Sequence, residues 1–591
     1  MTEPLQPASP DALPTLTQVA RVEGVSVPLI QPVKTSRGGR ARWAIALVAT
    51  LVVVLVAGGL VAFAGAGAAS VGPAYAPSDA LLYMDIRGDL PGDQRQQLAT
   101  FMAHFPGFAD PSSLQTKLDQ ALDKLVSKAT NGAYTYSGNI EPWFGGQVAV
   151  AVGPSDSVIL VVSVSDSAGL PTKLDQTSQQ LAKQLGGTVA IADHNGTSVY
   201  TLSGATGVSG LSAVSFAIST DAIVVAKDAA TVDAALDRKA GKSPNLAGTS
   251  AFRDTIGRLD ADRSGTFYLD GAAAQKLLDS TAASSSTCGS ATTLAGLPTT
   301  MAGELRLQDG NLIIRDQATL PAASASPVTA ATSDLASHVP GAALVYAETH
   351  GFGDLWRTEA TTLIQNPCFA SVAGQLSTIE GLLGTKIPDA FAWVKDAGVV
   401  VTAPGGAPQG GLVATTSDAA AGQARLTQVL TLLGLAKGAG GPAITTSSAP
   451  YAGTTITSVT VDLGSALDMG GSTGGAPSSV TVSYAFKGQL FVLGVGDAFV
   501  KAVLDTTNAD SLASDARYSA ALSAAGGPTD SGVVYADVTG IRSLVEAQLP
   551  ADQKAKYTSD VQPYLTPFDR LISVRVDTAG SESDTTIIFT K

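Results

Sequence analysis

The chain repeats itself, and this limits its fold more than any other feature. PSDALLYMDI at 77–86 matches PGAALVYAET at 340–349, with Tyr83 opposite Tyr346. VSFAISTDAIVVAKDAATVDAALD at 214–237 matches VSYAFKGQLFVLGVGDAFVKAVLD at 482–505, with Leu236 opposite Leu504. SGTFYLD at 264–270 matches SGVVYAD at 531–537, with Tyr268 opposite Tyr535. The offsets are 263, 268 and 267, so the matches are collinear. A looser match joins EPWFGGQVAVAV around Trp143 to AWVKDAGVVVT around Trp393. Two units of about 250 residues read as a duplicated domain, since solenoid repeats are far shorter. The expected organisation is a first unit at 77–320, a small, polar, Pro-containing linker at 321–337, and a second unit at 338–591.

Each unit is expected to be α+β, a mainly antiparallel sheet packed with helices. A strand at Ala80–Ile86 leads to helical segments at Gln94–His104 and Leu114–Lys128. Leu114, Leu118, Leu122 and Leu125 share one face of the latter. Strands follow at Gln147–Val152 and Ser157–Ser163. A helix starts near Pro171, a favoured first-turn residue, with Leu170, Leu174, Leu181 and Leu185 as its stripe. Four short strands reach about Lys227, and helices follow at Ala229–Lys239 and Ser250–Leu259. A strand at Thr266–Asp270 and a hairpin close the unit; Asp309-Gly310 marks the hairpin's turn. The second unit carries Gly/Ser-rich insertions at 434–449 and 464–479, read as loops.

Ahead of the repeats, residues 43–63 contain no charge: WAIALVATLVVVLVAGGLVAF. At 1.5 Å per residue they span roughly 31 Å of helix, about one hydrocarbon core. Twelve of them are Leu, Ile, Val or Phe, worth roughly −4 to −7 kcal/mol towards insertion. Lys34, Arg37, Arg40 and Arg42 precede the run, and the next basic residue is Arg87. The expectation is therefore a disordered cytoplasmic tail at 1–42, a transmembrane helix at 43–64 and a linker at 65–76. By the positive-inside rule, everything after about residue 66 lies outside the cytoplasm. A cleaved signal peptide is the competing reading, because AGAGAAS at 64–70 offers small-residue cleavage sites, but the apolar run exceeds the usual h-region. A buried core helix would leave the charge asymmetry a coincidence.

The export also gives meaning to the cysteines. Cys288 and Cys368 are the two in the sequence, both on the exported side, where a disulfide is expected. It would close a loop of about 80 residues, worth up to roughly 4–5 kcal/mol in the chain-entropy model. With four His and two Cys, zinc-ribbon, haem-attachment and iron–sulfur readings fail, and no metal or cofactor is expected. The formal charge of −14 argues against nucleic acid as a partner.

The strand ALLYMDIR, the segment DLPGDQRQQLATFMAHFPGF, the leucine-rich helix and PWFGGQVAVAVG together resemble a family of bacterial exported proteins, domain of unknown function 3352. The resemblance is best over about 77–320 and weaker over the second unit. Pro142 to Gly146 is its most specific part, and the second unit has AWVKD there. It implies a membrane-anchored envelope address and this architecture. It brings no activity and no catalytic residues.

Individual motifs carry little chemistry. Gly470-x-Ser472-x-Gly474 has the spacing of a nucleophile elbow but sits in a low-complexity loop rather than between strand and helix. Gly241-Lys242-Ser243 lacks the first glycine of a phosphate loop, since that position is Leu236. Asp260-x-Asp262-x-Ser264-Gly265 resembles the start of a calcium loop but has Gly271 at the twelfth position. It reads as a helix-to-strand turn, with a weak calcium site as the alternative. His104, His194, His338 and His350 read as surface or capping residues, and Asp85, Arg87 and Asp89 as solvated charges at a strand exit. Trp143 and Phe144 are the candidate pocket or partner surface. The competing reading has Trp143 plugging the core, with Gly145-Gly146 allowing close approach.

These observations lead to the expectation of a single-pass membrane protein with no catalytic residues. Its partners are the bilayer, through residues 43–64, and an unknown envelope protein or apolar ligand. Binding or scaffolding at the cell envelope ranks first, lipid or apolar-ligand carriage second, and an envelope hydrolase last.

Overall fold

The computed structural model describes residues 69–591 except 130–131, 133, 155–156, 166–178, 180–186, 205–212, 283–297, 322–329, 366–372, 439–442 and 463–478. The expected tail at 1–42 and span at 43–64 lie outside the described residues. So do Cys288, Cys368, the Gly470–Gly474 motif and, apart from Gln179, the helix expected from Pro171. Among the described residues, no helix is long and apolar enough to cross a membrane.

Among the described residues, twenty strands form the frame. They are β1 (Leu82–Arg87), β2 (Phe144–Val152), β3 (Val158–Val164), β4 (Thr188–His194), β5 (Thr197–Ser203), β6 (Ala213–Ile218), β7 (Ala222–Ala226), β8 (Gly265–Asp270), β9 (Thr300–Gln308) and β10 (Asn311–Thr319). The rest are β11 (Val345–Thr349), β12 (Val394–Thr402), β13 (Gln409–Thr416), β14 (Ile444–Tyr451), β15 (Thr454–Asp462), β16 (Ser479–Lys487), β17 (Leu490–Val495), β18 (Gly532–Ala536), β19 (Phe568–Thr578) and β20 (Ser581–Thr590). All belong to one sheet. Its order is β4-β5-β6-β7-β3-β2-β1-β8-β9-β10-β20-β19-β18-β11-β12-β13-β17-β16-β15-β14, and every ladder is antiparallel. The fold is α+β. The order of pairing among β1–β10 recurs among β11–β20, and β10 meets β20 in the middle.

Alternation decides which side chains enter the core. On β1 the buried positions are Tyr83, Asp85 and Arg87, with the intervening residues half-buried. Tyr83 lies opposite Tyr268 on β8, and Tyr346 lies opposite Tyr535 on β18. Helices close over these tyrosines. In the first half Phe252, from the helix Ser250–Ile256, meets Tyr83 and Tyr268 edge-on at 5.7 and 5.1 Å. In the second half Tyr518, from the helix Ala516–Ala524, meets Tyr346 and Tyr535 edge-on at 6.1 and 5.2 Å. Aspartates start the neighbouring helices. Asp228 caps Ala229–Lys239 by accepting from Thr231 N at 2.8 Å, and Asp515 caps Ala516–Ala524 by accepting from Tyr518 N at 2.8 Å.

The other face of the sheet is covered around β9 and β10. Leu307 and Leu312 there pack with Leu98 of the helix Gln94–Ala103 and with Leu114 and Leu118 of Leu114–Ala129. The expected leucine stripe is thus buried at Leu114, Leu118 and Leu122, but Leu125 is exposed. Beyond Leu118 the helix packs through Leu122 and Val126 against Tyr136, Ile140 and Phe144 instead.

The join between β10 and β20 places two carboxylates face to face. Asp316 pairs with Asp584, and Arg575 on β19 lies opposite Asp584 on its other side. Burial, then the Asp584 charge, pushes the Asp316 carboxyl up to about 6, with Arg575 pulling against them. A carboxyl raised above its ordinary value near about 3.9 holds its proton more tightly in the fold. Its stabilising contribution is complete below about pH 4 and is lost as the pH rises through about 6. Asp316→Asn is therefore expected to raise the urea midpoint at neutral pH and to flatten its decline between about pH 4 and 6. An unchanged pH slope would show that this pair is solvated.

Candidate functional site

The first strand of each half carries a tyrosine, an acid and a base at alternate positions, which places all three on one side of the sheet. In the first half these are Tyr83, Asp85 and Arg87. In the second they are Tyr346, Glu348 and His350, the last one residue beyond β11.

The first set is engaged by the chain's own groups, although Asp85 Oδ1 has no hydrogen bond among the described residues. Tyr83 Oη donates to Asp85 Oδ2 at 2.9 Å and lies 3.0 Å from Ser70 Oγ. Arg87 makes a two-pronged bond to Asp89, Nε to Oδ1 at 3.0 Å and Nη2 to Oδ2 at 2.8 Å. Gln147 Nε2 donates to Asp89 Oδ2 at 3.0 Å, and its Oε1 accepts from Val71 N at 3.1 Å. A bulge in β2 between Phe144 and Val148 brings the loop after β1 close, and Gly146 O accepts from Gly88 N at 2.6 Å. Gly146 has φ +85°, and a Cβ there would stand 2.9 Å from Asp89 N, so glycine is required. Asp85, Arg87 and Asp89 are therefore not solvated, as the sequence led one to expect. They are buried, and the paired guanidinium and carboxylate make that burial tolerable.

The second set faces a cavity of about 300 Å³. Its walls include Glu348, His350, Asp530, Tyr518, Ser519 and Leu522. Tyr346 Oη donates to Glu348 Oε2. His350 Nε2 lies 3.2 Å from Glu348 Oε1 and 3.4 Å from Asp530 Oδ1. Neither approach has hydrogen-bond geometry, so all three atoms are buried without a hydrogen-bond partner among the described residues. Burial opposes a charge on His350. The close Glu348 carboxylate and the charges of Asp530 and Asp396 outweigh it and hold the imidazole above its ordinary range. Burial pushes the Asp530 carboxyl up to about 6, with the His350 charge pulling against it and the Glu348 charge adding to it. Behind the cluster, Asp396 accepts from Gly351 N at 3.2 Å and from Thr415 Oγ1 at 3.2 Å.

His350 is thus not a surface or capping residue, being only 3 % exposed. Reading histidines by mutual spacing missed it. The missed signal was the alternation Tyr346-x-Glu348-x-His350 beside Tyr83-x-Asp85-x-Arg87. Asp530 is 180 residues away in sequence and is brought in by the pairing of β18 with β11. His104, His194 and His338 are half-buried. His194 Nε2 lies 3.0 Å from Asp237 Oδ1, beside the turn Asn195-Gly196.

Trp143 and Phe144 are both half-buried, and neither lines this cavity. Trp143 Nε1 donates to Asn139 O at 2.7 Å, and Phe144 packs against Leu122 and Tyr136. In the second half Trp393 is buried among Phe486 and Phe491. Asp260 pairs with Arg306 at 3.0 Å, and the Asp262 carboxylate packs over Gly92. Lys242 follows a helix and reaches Asp237 at 3.3 Å. Among the described residues, no group of three or more His, Cys, Asp or Glu side chains is placed to hold a metal ion.

Residues 41–587 match a family model described as protein of unknown function (DUF3352). No curated protein matches the chain. Two solved structures of TP0453 are similar to parts of it. Crystal form I shows 13 % identity over 43 % of this chain and 80 % of that one, with a TM-score of 0.23. Crystal form III shows 15 % identity over 43 % and 81 %, with a TM-score of 0.23.

Proposed function

The chain belongs to the DUF3352 family, whose function is unknown, and from that premise we propose an envelope-side binding protein made of two copies of one unit. Residues 43–64 hold it in the membrane, the N-terminus is cytoplasmic, and residues after about 66 lie outside. The uncharged run and its one-sided basic flank support this address. Two copies are supported by the collinear sequence matches, the recurring pairing order and the two aromatic triplets, Tyr83/Phe252/Tyr268 and Tyr346/Tyr518/Tyr535.

The observation that carries the binding role is the cavity over Glu348, His350 and Asp530. The first copy closes over its cluster with Arg87, Asp89 and Gln147, leaving Asp85 Oδ1 without a hydrogen bond among the described residues; in the second, Glu348, His350 and Asp530 line a cavity and each keeps one buried polar atom without a hydrogen bond. Convergent polar groups in a concave site mark a binding place. Among the described residues, no hydroxyl at the cavity wall is hydrogen-bonded to His350 Nε2, which favours binding over nucleophilic catalysis. The walls are mixed, with Leu522, Pro528 and Val533 beside Glu348, His350 and Asp530. Apolar-ligand carriage draws support from the exposed Leu363, Ile379, Leu382 and Val429 on three helices of the second copy.

The binding role is tested by thermal unfolding of the full-length chain in detergent against small molecules of positive, negative and zero charge. Ser519 is exposed at the cavity wall, so Ser519→Trp should fold and fill the space. Stabilisation by one charge class that Ser519→Trp abolishes is the expected result. Stabilisation that survives in Ser519→Trp, or none with any class, would contradict the reading.

A further inference from the structure

We propose that the cavity of the second half takes a small organic cation whose ammonium or guanidinium head is held by Glu348 and Asp530. This rests on reading the cavity as a binding site, and adds the class of ligand.

The cluster is short of hydrogen-bond donors. The Glu348 and Asp530 side chains line the cavity, and their Oε1 and Oδ1 are buried and accept no hydrogen bond among the described residues. The cationic group beside both is His350, and its Nε2 carries at most one proton. One N–H cannot satisfy two carboxylates, and buried carboxylate oxygens left unmatched are costly. An ammonium group brings three donors and a guanidinium five. Among the described residues no Lys or Arg lines the cavity, so the charged groups an anionic ligand would meet there are two carboxylates and one imidazole.

Size and shape point the same way. A cavity of about 300 Å³ holds roughly ten water-sized volumes at about 30 Å³ each. That suits a head group and a few methylenes, for which Leu522, Pro528 and Val533 supply apolar walls. The first half offers an internal parallel. Two residues after its acid it places a guanidinium of its own, Arg87, bound by both prongs to Asp89. The second half has the shorter His350 at that point and leaves room.

Binding is linked to a proton on His350. The groups that face it are Tyr346 and Glu348 from β11, Asp530 from the turn before β18, Asp396 from β12 and Tyr518 from the helix above. Lys395 pairs with Asp396 at 3.2 Å on the outer side. While the cavity is empty, the carboxylates favour the imidazolium. A second cation between the same carboxylates repels it, so the Nε2 proton leaves to solvent as the ligand enters. Affinity therefore rises with pH through the folded pKa of His350, while the ligand keeps its own charge.

The test is calorimetric titration of the full-length chain in detergent with putrescine, in two buffers of different ionisation enthalpy. One putrescine per chain, with a fraction of a proton released, is expected, and tighter binding at higher pH. Asp530→Asn should weaken binding ten-fold or more, and Glu348→Gln similarly. His350→Gln should bind putrescine without releasing a proton. Proton release by the unaltered chain needs no variant to fold. The proposal is overturned if putrescine does not bind, if it binds without proton release, or if Zn²⁺ alone binds and excludes it. If an anionic or neutral molecule stabilises the chain and Ser519→Trp removes the effect, the cation class is wrong and the binding role stands. If no small molecule of any charge does so, both fall.

Discussion

Glu348→Ala should lower stability by roughly 3–5 kcal/mol, the usual cost of removing one partner from a buried charge cluster. Glu348 is 6 % exposed and touches both ends of its cluster, accepting from Tyr346 and facing His350. Its loss leaves the Tyr346 hydroxyl without its acceptor and leaves His350 to Asp530 and Asp396. Glu348→Gln keeps the shape and the acceptor for Tyr346, and should lose less. Urea unfolding of the two variants separates charge from shape. A loss below about 1 kcal/mol in Glu348→Ala would place the cluster in solvent and remove the physical reason for the site.

Phe499→Ala should be as severe, at roughly 3–5 kcal/mol, through lost burial and the space left behind. The ring is fully buried, and two glycines make room for it. A Cβ at Gly411 would stand 2.4 Å from the ring, and one at Gly494 2.8 Å. Each strand therefore gives up a side chain so that the helix Ala498–Asp505 can lie close. Collapse around the empty site is limited because β13 and β17 are paired through these same glycines. A urea midpoint near that of the unaltered chain would mean that the helix re-seats on the sheet.

The sequence made much of the frame legible because its signals are local. The apolar run at Ala80–Ile86 and the Asp309-Gly310 turn each act within a few residues, and β1, the β9–β10 hairpin and the helix Ala229–Lys239 lie close to where they were expected. The helix Gly271–Ala282 was not anticipated. Nor was the joining of all strands into one sheet. The β10–β20 pairing links residues about 270 positions apart, and nothing in either strand names its partner. The candidate site was illegible for the same reason. Tyr346, Glu348 and His350 share a strand and could be read together, but Asp530 and Tyr518 arrive through strand pairing and helix packing. Burial also reverses the meaning of charge. Asp85, Arg87 and Asp89 look like a solvated strand exit until Gly146 brings the next strand's backbone against them.

A native mass spectrum of the full-length chain, taken from its membranes in mild detergent, bears most directly on the binding role. The account predicts a small-molecule adduct on the unaltered chain and none on Ser519→Trp. A bare unaltered chain, or lipid held equally by both, would contradict it.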